Sequence, residues 1–156
     1  MSFDFRFKTI EDEKELKLLL NFLIKQDLGY PNYEEWVQKS EYEIEKGLKI
    51  PILGLSGNEL VADLIYQKHK ELSNSLEIKN CRVISPLRYR DFARFMFKQV
   101  EIEAKRKYDS IVCDVRSTEI RTIEFLLNIN YIPLNKKPLY DNKLDIIFFK
   151  SLEQRS

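Results

Sequence analysis

The chain has 156 residues, of which 44% are hydrophobic and 12% aromatic, enough for one domain with a real core and too many for a globally disordered protein. Its 26 Lys and Arg residues nearly balance 25 Asp and Glu residues. The resulting net charge of +1 gives no reason to expect general binding to nucleic acids or to anionic membranes.

Neither a targeting segment nor a metal site is expected. Charged residues occur among the first apolar residues in MSFDFRFKTIEDE, unlike in a signal peptide. No apolar run approaches the roughly 20 residues that a membrane-spanning helix needs. Cys81 and Cys113 are predicted to be small buried hydrophobic residues in a reducing cytoplasm, in preference to a disulfide or a nucleophile. With His69 as the only histidine, a zinc site is not expected.

The first half of the chain predicts a strand, two helices and a hairpin. FDFRFKTI alternates apolar and polar residues, as a half-buried strand does. Thr9 then resembles a helix N-cap with an acid three residues later, and DLGYPN ends that helix. Asn32 can cap a second helix that ends near Gly47. KIPILGL and ELVADLIYQ are predicted strands joined by a turn at Ser56-Gly57-Asn58. The predicted core residues of the two helices are Leu16, Leu19, Leu20, Leu23, Tyr33, Trp36 and Val37.

The second half predicts three strands and two helices after a third strand of the hairpin group, SLEIKNCRVI. A helix from Phe92 to Lys107 follows, then a buried strand, SIVCDV, and a last helix in RSTEIRTIEFLLNIN. YIPL and LDIIFFK close the chain. EIKNCRVI and SIVCDV are expected to be parallel neighbours, because a helix joins them. The predicted buried face of the Phe92–Lys107 helix consists of Phe92, Phe95, Met96, Val100 and Ala104.

The element order β-α-α-β-β-β-α-β-α-β-β therefore predicts a single α+β domain over residues 1–156, with a mixed sheet flanked by helices. This order resembles that of the GNAT superfamily of N-acetyltransferases over roughly residues 3–150. In that family the loop after the fourth strand carries Arg/Gln-x-x-Gly-x-Gly/Ala and wraps the pyrophosphate of acetyl-CoA. Arg88, Asp91 and Ala93 occupy the three motif positions here.

The resemblance implies acetyl-CoA as co-substrate, bound where the third helix begins. The chain has no glycine after Gly57, although such loops normally use glycine to let the backbone approach phosphates. Three nearby arginines are predicted to offset that loss, or else to be surface charges, one of them paired with Asp91. Asp91 itself is by default a helix cap. The predicted cofactor-binding residues are Val83, Ile84, Arg88, Arg90, Asp91, Phe92, Ala93 and Arg94.

The family's later motif, Asn-x-x-Ala-x-x-x-Tyr-x-x-x-Gly-Phe, reads Glu119, Thr122, Leu126 and Asn130-Tyr131 in this chain. Asn130 is a mild replacement, because asparagine tolerates the left-handed conformation that ends a helix. Leu126 has no hydroxyl, so the tyrosine that the family often uses as general acid is missing. Tyr131 is predicted to lie in the core.

Two residues are predicted to be catalytic. An ammonium group has no lone pair, so acetyl transfer needs a base near the acceptor. Glu77 lies in the middle strand, where the resemblance places the family's frequent catalytic glutamate, and a solvated or ion-paired residue is the alternative. Tyr140, in KKPLYDN, is the predicted general acid, with a plain surface tyrosine as its alternative.

The leading hypothesis is an acetyl-CoA-dependent N-acetyltransferase acting on an amine of a small molecule, peptide or protein. The alternative is a non-catalytic GNAT-fold binding module. A third hypothesis, RNA binding through Arg88, Tyr89, Arg90, Phe92 and Arg94, is weakened by the near-zero net charge. The resemblance to the GNAT superfamily implies an acceptor groove bordered by QDLGYPNYEEW and NKKPLYDN. The identity of the acceptor and the oligomeric state, with a homodimer as one option, stay open. The charged residues of these two segments are Asp27, Glu34, Glu35, Lys136 and Lys137.

Overall fold

A computed structural model describes residues 5–26, 29–88 and 90–152 of the chain. The predicted element order and the α+β class are confirmed, with a short 3-10 turn at Ser85–Leu87 as an addition. The elements are β1 (Phe5–Lys8), α1 (Glu13–Lys25), α2 (Tyr33–Glu45), β2 (Ile50–Ser56), β3 (Glu59–Lys68), β4 (Ser75–Val83), α3 (Phe92–Ala104), β5 (Ser110–Arg116), α4 (Ile120–Asn128), β6 (Ile132–Pro138) and β7 (Leu144–Ser151).

The strands form one seven-stranded sheet in the order β1-β2-β3-β4-β5-β7-β6. β4 and β5 are parallel, as predicted, and the other described pairs are antiparallel. Parallel neighbours need a crossover connection, which α3 supplies here. β5 lies between β4 and β7, so its run SIVCDV is covered on both sides by strands.

Each face of the sheet has its own core. α3 and α4 cover one face, where Met96, Val100, Leu126 and Tyr131 are almost fully buried together with apolar residues of β3, β4 and β5. α1 and α2 cover part of the other face, where Leu19, Leu23, Tyr33 and Val37 pack on residues of β2 and β3. Burial of apolar side chains on both faces is the main stabilising contribution.

The N-cap of α1 differs from the prediction. Asp12, not Thr9, is the cap, and its Oδ1 accepts a hydrogen bond from the Glu15 amide at 2.8 Å. The Glu15 carboxylate in turn accepts from the Glu11 amide at 2.8 Å. An aspartate with a glutamate three residues later satisfies the free amides of the first turn as Thr9 would have done, one turn further along.

The buried face of α3 also differs from the prediction at one position. Phe95 is 65% exposed and stacks on Phe7, with ring centroids 5.9 Å apart. Phe92, Met96, Val100 and Ala104 are buried as predicted. Successive turns of an α-helix drift relative to a fixed stripe, and Phe95 lies beyond the edge of the strip that the sheet covers.

Candidate active site

The parallel pair β4–β5 opens halfway along its length. The two strands are paired from Ser75 to Ile78 and from Ser110 to Cys113. Beyond these residues, in the described part of the chain, β4 pairs with β3 alone and β5 with β7 alone. The register between β3 and β4 shifts next to Ile78, as at a β-bulge. The gap between β4 and β5 therefore exposes two strand edges that can hydrogen bond to an extended ligand.

The gap lies toward the carboxyl ends of the parallel strands, where open sheets with helices on their faces bind ligands. The chain after β4 continues into the N-terminus of α3, where Asp91 occupies the N-cap position. Its φ is +65°, the left-handed region that favours glycine. Asp91 thus has the backbone conformation that a glycine at this motif position would supply.

Asp91 is not a working helix cap, which corrects the default prediction. In the described residues its carboxylate accepts no hydrogen bond from the first turn of α3. It forms an ion pair with Arg94 instead, at 3.4 Å between Oδ1 and Nε, and both side chains are mostly exposed. Within the part of the chain that the structure describes, no side chain caps the first amides of α3, which point toward the loop.

The three arginines differ in their surroundings. Arg88 donates from Nε to the Val83 carbonyl at 3.0 Å, which holds its guanidinium against the end of β4. Arg94 is paired with Asp91, as the surface-charge alternative predicted for one of the three. Arg90 is exposed. A loop with these guanidiniums and uncapped amides is suited to an anion.

The other predicted cofactor residues contribute backbone rather than side-chain chemistry. The Phe92 ring is buried against Phe5 of β1, with centroids 5.1 Å apart, so it does not occupy the phosphate side of the loop. Val83 pairs with Ala62, and the Ile84 amide donates to the Val61 carbonyl. Ala93 is half-buried in the first turn of α3.

Glu77 lies on the opposite face of β4 from the α3–α4 core, because Leu76 and Ile78 belong to that core. It is opposite Gln67 of β3 and Val112 of β5, just before the gap opens. Its carboxylate is 3.3 Å from the Lys79 ammonium, and both side chains are largely buried. Glu77 is therefore ion-paired, as its alternative predicted, and also lies beside the gap.

Tyr140 lies above the same face, in the connection between β6 and β7. Its Oη donates to the Asp114 carboxylate at 2.8 Å, although the residue is 45% exposed. Partial burial and the charge of Asp114 raise the pKa of Tyr140 above its ordinary value. The Tyr140 proton is thus held by a carboxylate and the phenol is less acidic than usual, so proton donation by Tyr140 requires release of this hydrogen bond.

Tyr30 and Arg116 join the two segments that were expected to border the acceptor groove. The Tyr30 ring meets Tyr140 edge-on, with centroids 5.5 Å apart. The Arg116 guanidinium lies 4.2 Å from the Tyr30 centroid. Arg116 also donates twice to Asp141, at 2.7 and 2.8 Å. The α1–α2 connection and the β6–β7 connection thus meet over β5.

Asp63 is a buried carboxyl group on the same face, in the centre of β3. It is 0% exposed, and its Oδ2 accepts from the Asn80 amide group at 2.7 Å. Its Oδ1 has no hydrogen-bond partner among the described residues. Burial raises the pKa of Asp63 to about 7.

We expect Asp63 to make the folded state less stable as pH rises. Its folded-state pKa is raised, so the folded protein retains a proton that the unfolded chain releases above pH ~4. Between pH 5 and 8 the free energy of unfolding of the wild type should fall relative to that of Asp63→Asn by about 2–3 kcal/mol. Urea denaturation across this range measures the difference. Exposed Glu124→Gln is the control, and a difference that does not change with pH would contradict the assignment.

Sequence reasoning missed Asp63, Asp114, Asp145, Arg116 and Tyr30. The available signal was an acid inside an otherwise apolar strand, in ELVADLIYQ and in SIVCDV. Several groove residues do not join this site: Glu34, Glu35, Lys136 and Lys137 are exposed. Asp27 and Tyr89 lie outside the described residues.

The remaining functional expectations concern metals, membranes and thiols. Within residues 5–26, 29–88 and 90–152 no group of three or more His, Cys, Asp or Glu side chains could hold a metal ion. No described helix is both long and apolar enough to span a bilayer. Cys81 and Cys113 are free thiols. Burial raises the pKa of Cys81 to about 12, so this thiol is not a reactive nucleophile.

Comparison with known proteins gives a match at the level of structure. No protein-family model and no curated protein matches the sequence. A GNAT-family protein from Desulfovibrio desulfuricans is similar with a TM-score of 0.81 and 8% identity, over 96% of this chain and 100% of that one. The ribosomal-protein-S18-alanine N-acetyltransferase of Escherichia coli has a TM-score of 0.73 and 13% identity, over 98% and 97% of the two chains.

A third similar structure is an aminoglycoside 6'-N-acetyltransferase complexed with coenzyme A. Its TM-score is 0.75 with 14% identity, over 97% of this chain and 99% of that one. The three structures align with this chain along nearly their whole length. The sequence identities are too low to infer the acceptor of this protein from theirs. The protein therefore has the fold of the GNAT N-acetyltransferases.

Proposed function

We propose that this protein is an N-acetyltransferase that transfers the acetyl group of acetyl-CoA to an amine. The observation that carries the proposal is the gap between β4 and β5, with the uncapped N-terminus of α3 at one end and Glu77 beside it. Coenzyme A is bound in one protein with the same fold, which supports a CoA-type ligand for this gap.

The gap fits the parts of acetyl-CoA in order. The pyrophosphate would meet the first amides of α3, with Arg88 and Arg90 adding positive charge. The amide-containing arm would lie between the open edges of β4 and β5 and hydrogen bond to them as an added strand does. The thioester would then reach the level of Cys113, next to the face that carries Glu77.

The reaction on that face needs proton transfer and orientation. Glu77 is the proposed base that takes a proton from the acceptor ammonium, directly or through water, so that the amine lone pair can form a bond to the thioester carbon. The nitrogen gives up its second proton to solvent, the carbon–sulfur bond breaks, and the departing thiolate takes up a proton. Tyr140 is the proposed donor of that proton, once its hydrogen bond to Asp114 is released. Solvent water is the other source.

A non-catalytic binding module is the second candidate. The ion pair between Glu77 and Lys79 and the hydrogen bond between Tyr140 and Asp114 favour it, because each occupies a proposed catalytic group. Such a module would bind CoA or an amine ligand without turnover. Release of free CoA thiol in the presence of acetyl-CoA and a panel of amines distinguishes the two candidates.

Replacing Asp91 by Gly is expected to tighten binding of acetyl-CoA. The change removes a negative charge beside the pyrophosphate position and releases Arg94 from its ion pair. Stability should stay within about 0.5 kcal/mol of the wild type, because Asp91 makes no cap hydrogen bond and glycine suits its positive φ. Titration calorimetry with CoA and acetyl-CoA on both proteins measures the affinities.

Two arginine variants complete the calorimetry. Arg88→Ala should weaken binding of acetyl-CoA, and Arg90→Ala, which changes an exposed side chain, separates loss of charge from loss of the Arg88 bond to Val83. If neither the wild type nor Asp91→Gly binds CoA or acetyl-CoA, the proposed function is wrong at its first step.

A further inference from the structure

A polar cluster around Tyr30 and Tyr140 indicates which chemical class of acceptor the protein binds. We call it the acidic cleft; it consists of Tyr30, Asp114, Arg116, Tyr140, Asp141 and Asp145. Alternation along the strands puts Asp114 and Arg116 on the face that carries Glu77, and Asp145 of β7 is opposite Arg116. Asp141 and Asp145 thus share one guanidinium, and Asp114 lies on the same face without contacting it.

Most of the hydrogen-bonding capacity of the Arg116 guanidinium is already used. Arg116 donates to both oxygens of Asp141, at 2.7 and 2.8 Å, a bidentate arrangement that is the strong form of this pair. Its contact with Asp145 is longer, 3.4 Å between Nη1 and Oδ2. Asp114 has the Tyr140 hydroxyl as its hydrogen-bond donor and forms no ion pair in the described chain. The negative charge of Asp114 and Asp145 is therefore only partly offset.

Asp145 shows most clearly that the negative charge of these carboxylates is only partly offset. It is 0% exposed, the Leu139 amide acts on its carboxylate, and its Oδ1 has no hydrogen bond of full geometry among the described residues. Its Oδ2 is 3.4 Å from the Arg116 guanidinium, which packs on the Tyr30 ring, so the carboxylate lies beside the cleft. Burial raises the pKa of both Asp114 and Asp145. A buried carboxylate oxygen without a donor is costly, and a bound cation with N–H groups would remove that cost.

The two tyrosines provide the matching apolar surface. Their rings meet edge-on over β5, and Tyr30 already packs against one cation, the Arg116 guanidinium. Aromatic faces near carboxylates attract ammonium groups and the methylene chains between them. Tyr140 is 45% exposed, so solvent reaches the cleft at its side, whereas Asp145 is 0% exposed and a ligand must part the two rings to contact it.

The spacing of the carboxylates sets the length of the ligand. Asp114 is opposite Ile147, two residues from Asp145 on the antiparallel neighbour, so the two acids are a diagonal cross-strand pair. The Cα atoms of such pairs are about 7–8 Å apart, which sets the scale of the spacing between the two carboxylates. A flexible diamine with roughly five methylene groups spans this distance.

We propose that the acidic cleft binds an acceptor with two ammonium groups about 7–8 Å apart, one beside Asp114 and Glu77, where it is acetylated, and the other at Asp145. As an acceptor assignment this rests on the proposed function. As a binding site for a dication it does not, so binding and turnover are tested separately.

The binding test uses 1,5-diaminopentane and pentylamine, which have the same carbon chain and differ in one ammonium group. In titration calorimetry without acetyl-CoA, the wild type should bind the diamine at least ten times more tightly than the monoamine. Asp145→Asn and Asp114→Asn should each reduce that ratio to less than three. Glu124→Gln, an exposed change on α4, should preserve it. Circular dichroism and melting temperature show whether each variant is folded.

The turnover test measures acetylation of the same two amines by release of CoA thiol. The proposal predicts a kcat/KM at least ten times higher for the diamine in the wild type and a ratio below three in Asp145→Asn. Equal binding of both amines to the wild type, or a diamine preference unchanged in folded Asp145→Asn and Asp114→Asn, overturns the proposal. Preferential diamine binding without acetylation of either amine supports the dication site and contradicts the proposed function instead.

Discussion

Glu77→Gln is expected to lower the turnover of acetyl transfer by roughly 10²- to 10⁴-fold, the contribution typical of general base catalysis. Glutamine keeps the shape of the side chain and removes its ability to take a proton from the acceptor ammonium. The affinity for acetyl-CoA should change little, because Glu77 lies on the face opposite the α3–α4 core and away from the α3 N-terminus. Initial rates with a saturating amine, together with CoA calorimetry, measure both quantities.

Two companion variants make this result specific to Glu77. Lys79→Gln removes the other half of the ion pair and leaves the carboxylate in place, so it should retain most of the activity if Glu77 is the base. Asp114→Asn tests the other carboxylate beside the gap. Activity of Glu77→Gln within a few-fold of the wild type would rule out the base role. A large loss in Asp114→Asn alone would transfer that role to Asp114.

The order of elements was predictable because it depends on local signals. Alternation in FDFRFKTI, the turn at Gly57 and leucines at helical spacing each report on a few neighbouring residues. Asn130 likewise has the predicted left-handed conformation, with φ of +72°. The wrong prediction of the α1 N-cap was also local. Asp12 and Thr9 are both good caps, and only packing against the sheet decides at which of them the helix begins.

The acidic cleft could not be predicted in the same way, because its members are far apart in sequence. Asp145 is opposite Arg116 only after β7 has paired with β5 in one register, and a shift of one residue would put it on the other face. Glu77 was predicted from the resemblance and Tyr140 from its place in the loop between the closing strands. Their partners, Lys79 and Asp114, became visible only in the structure.

The Asp91 conformation shows the same limit at the cofactor loop. The sequence indicated a missing glycine, and an aspartate before a helix is usually a cap. The structure instead has Asp91 in the left-handed region and paired with Arg94. Backbone torsion angles at a loop depend on where the next helix must start, which here is fixed by burial of Phe92 against β1.

Arg116→Met is expected to destabilise the protein by about 3–5 kcal/mol, the usual cost of removing one partner from a buried ion pair. Methionine fills much of the same volume and cannot donate hydrogen bonds. Asp145, which is 0% exposed, then has no cation beside it among residues 5–26, 29–88 and 90–152, and Asp141 loses both of its bonds to Arg116. For a domain of this size the melting temperature should fall by roughly 10 °C.

The second substitution that tests this explanation is Asp145→Asn in the Arg116→Met background. If the damage comes from an uncompensated carboxylate, removing its charge should restore part of the stability, with a coupling energy of roughly 1 kcal/mol or more in the double-mutant cycle. Arg116→Met alone should also lose less stability at low pH, because without its cation Asp145 is more easily protonated when buried, and a raised folded-state pKa favours the folded state in acid.

Arg106→Met, at an exposed position, is the matched control and should change stability by less than about 0.5 kcal/mol. If Arg116→Met and its double variant melt at the same temperature at every pH, Arg116 acts through packing, and Asp145 does not need a cation. The same result would remove the charge deficit on which binding of a second ammonium group depends.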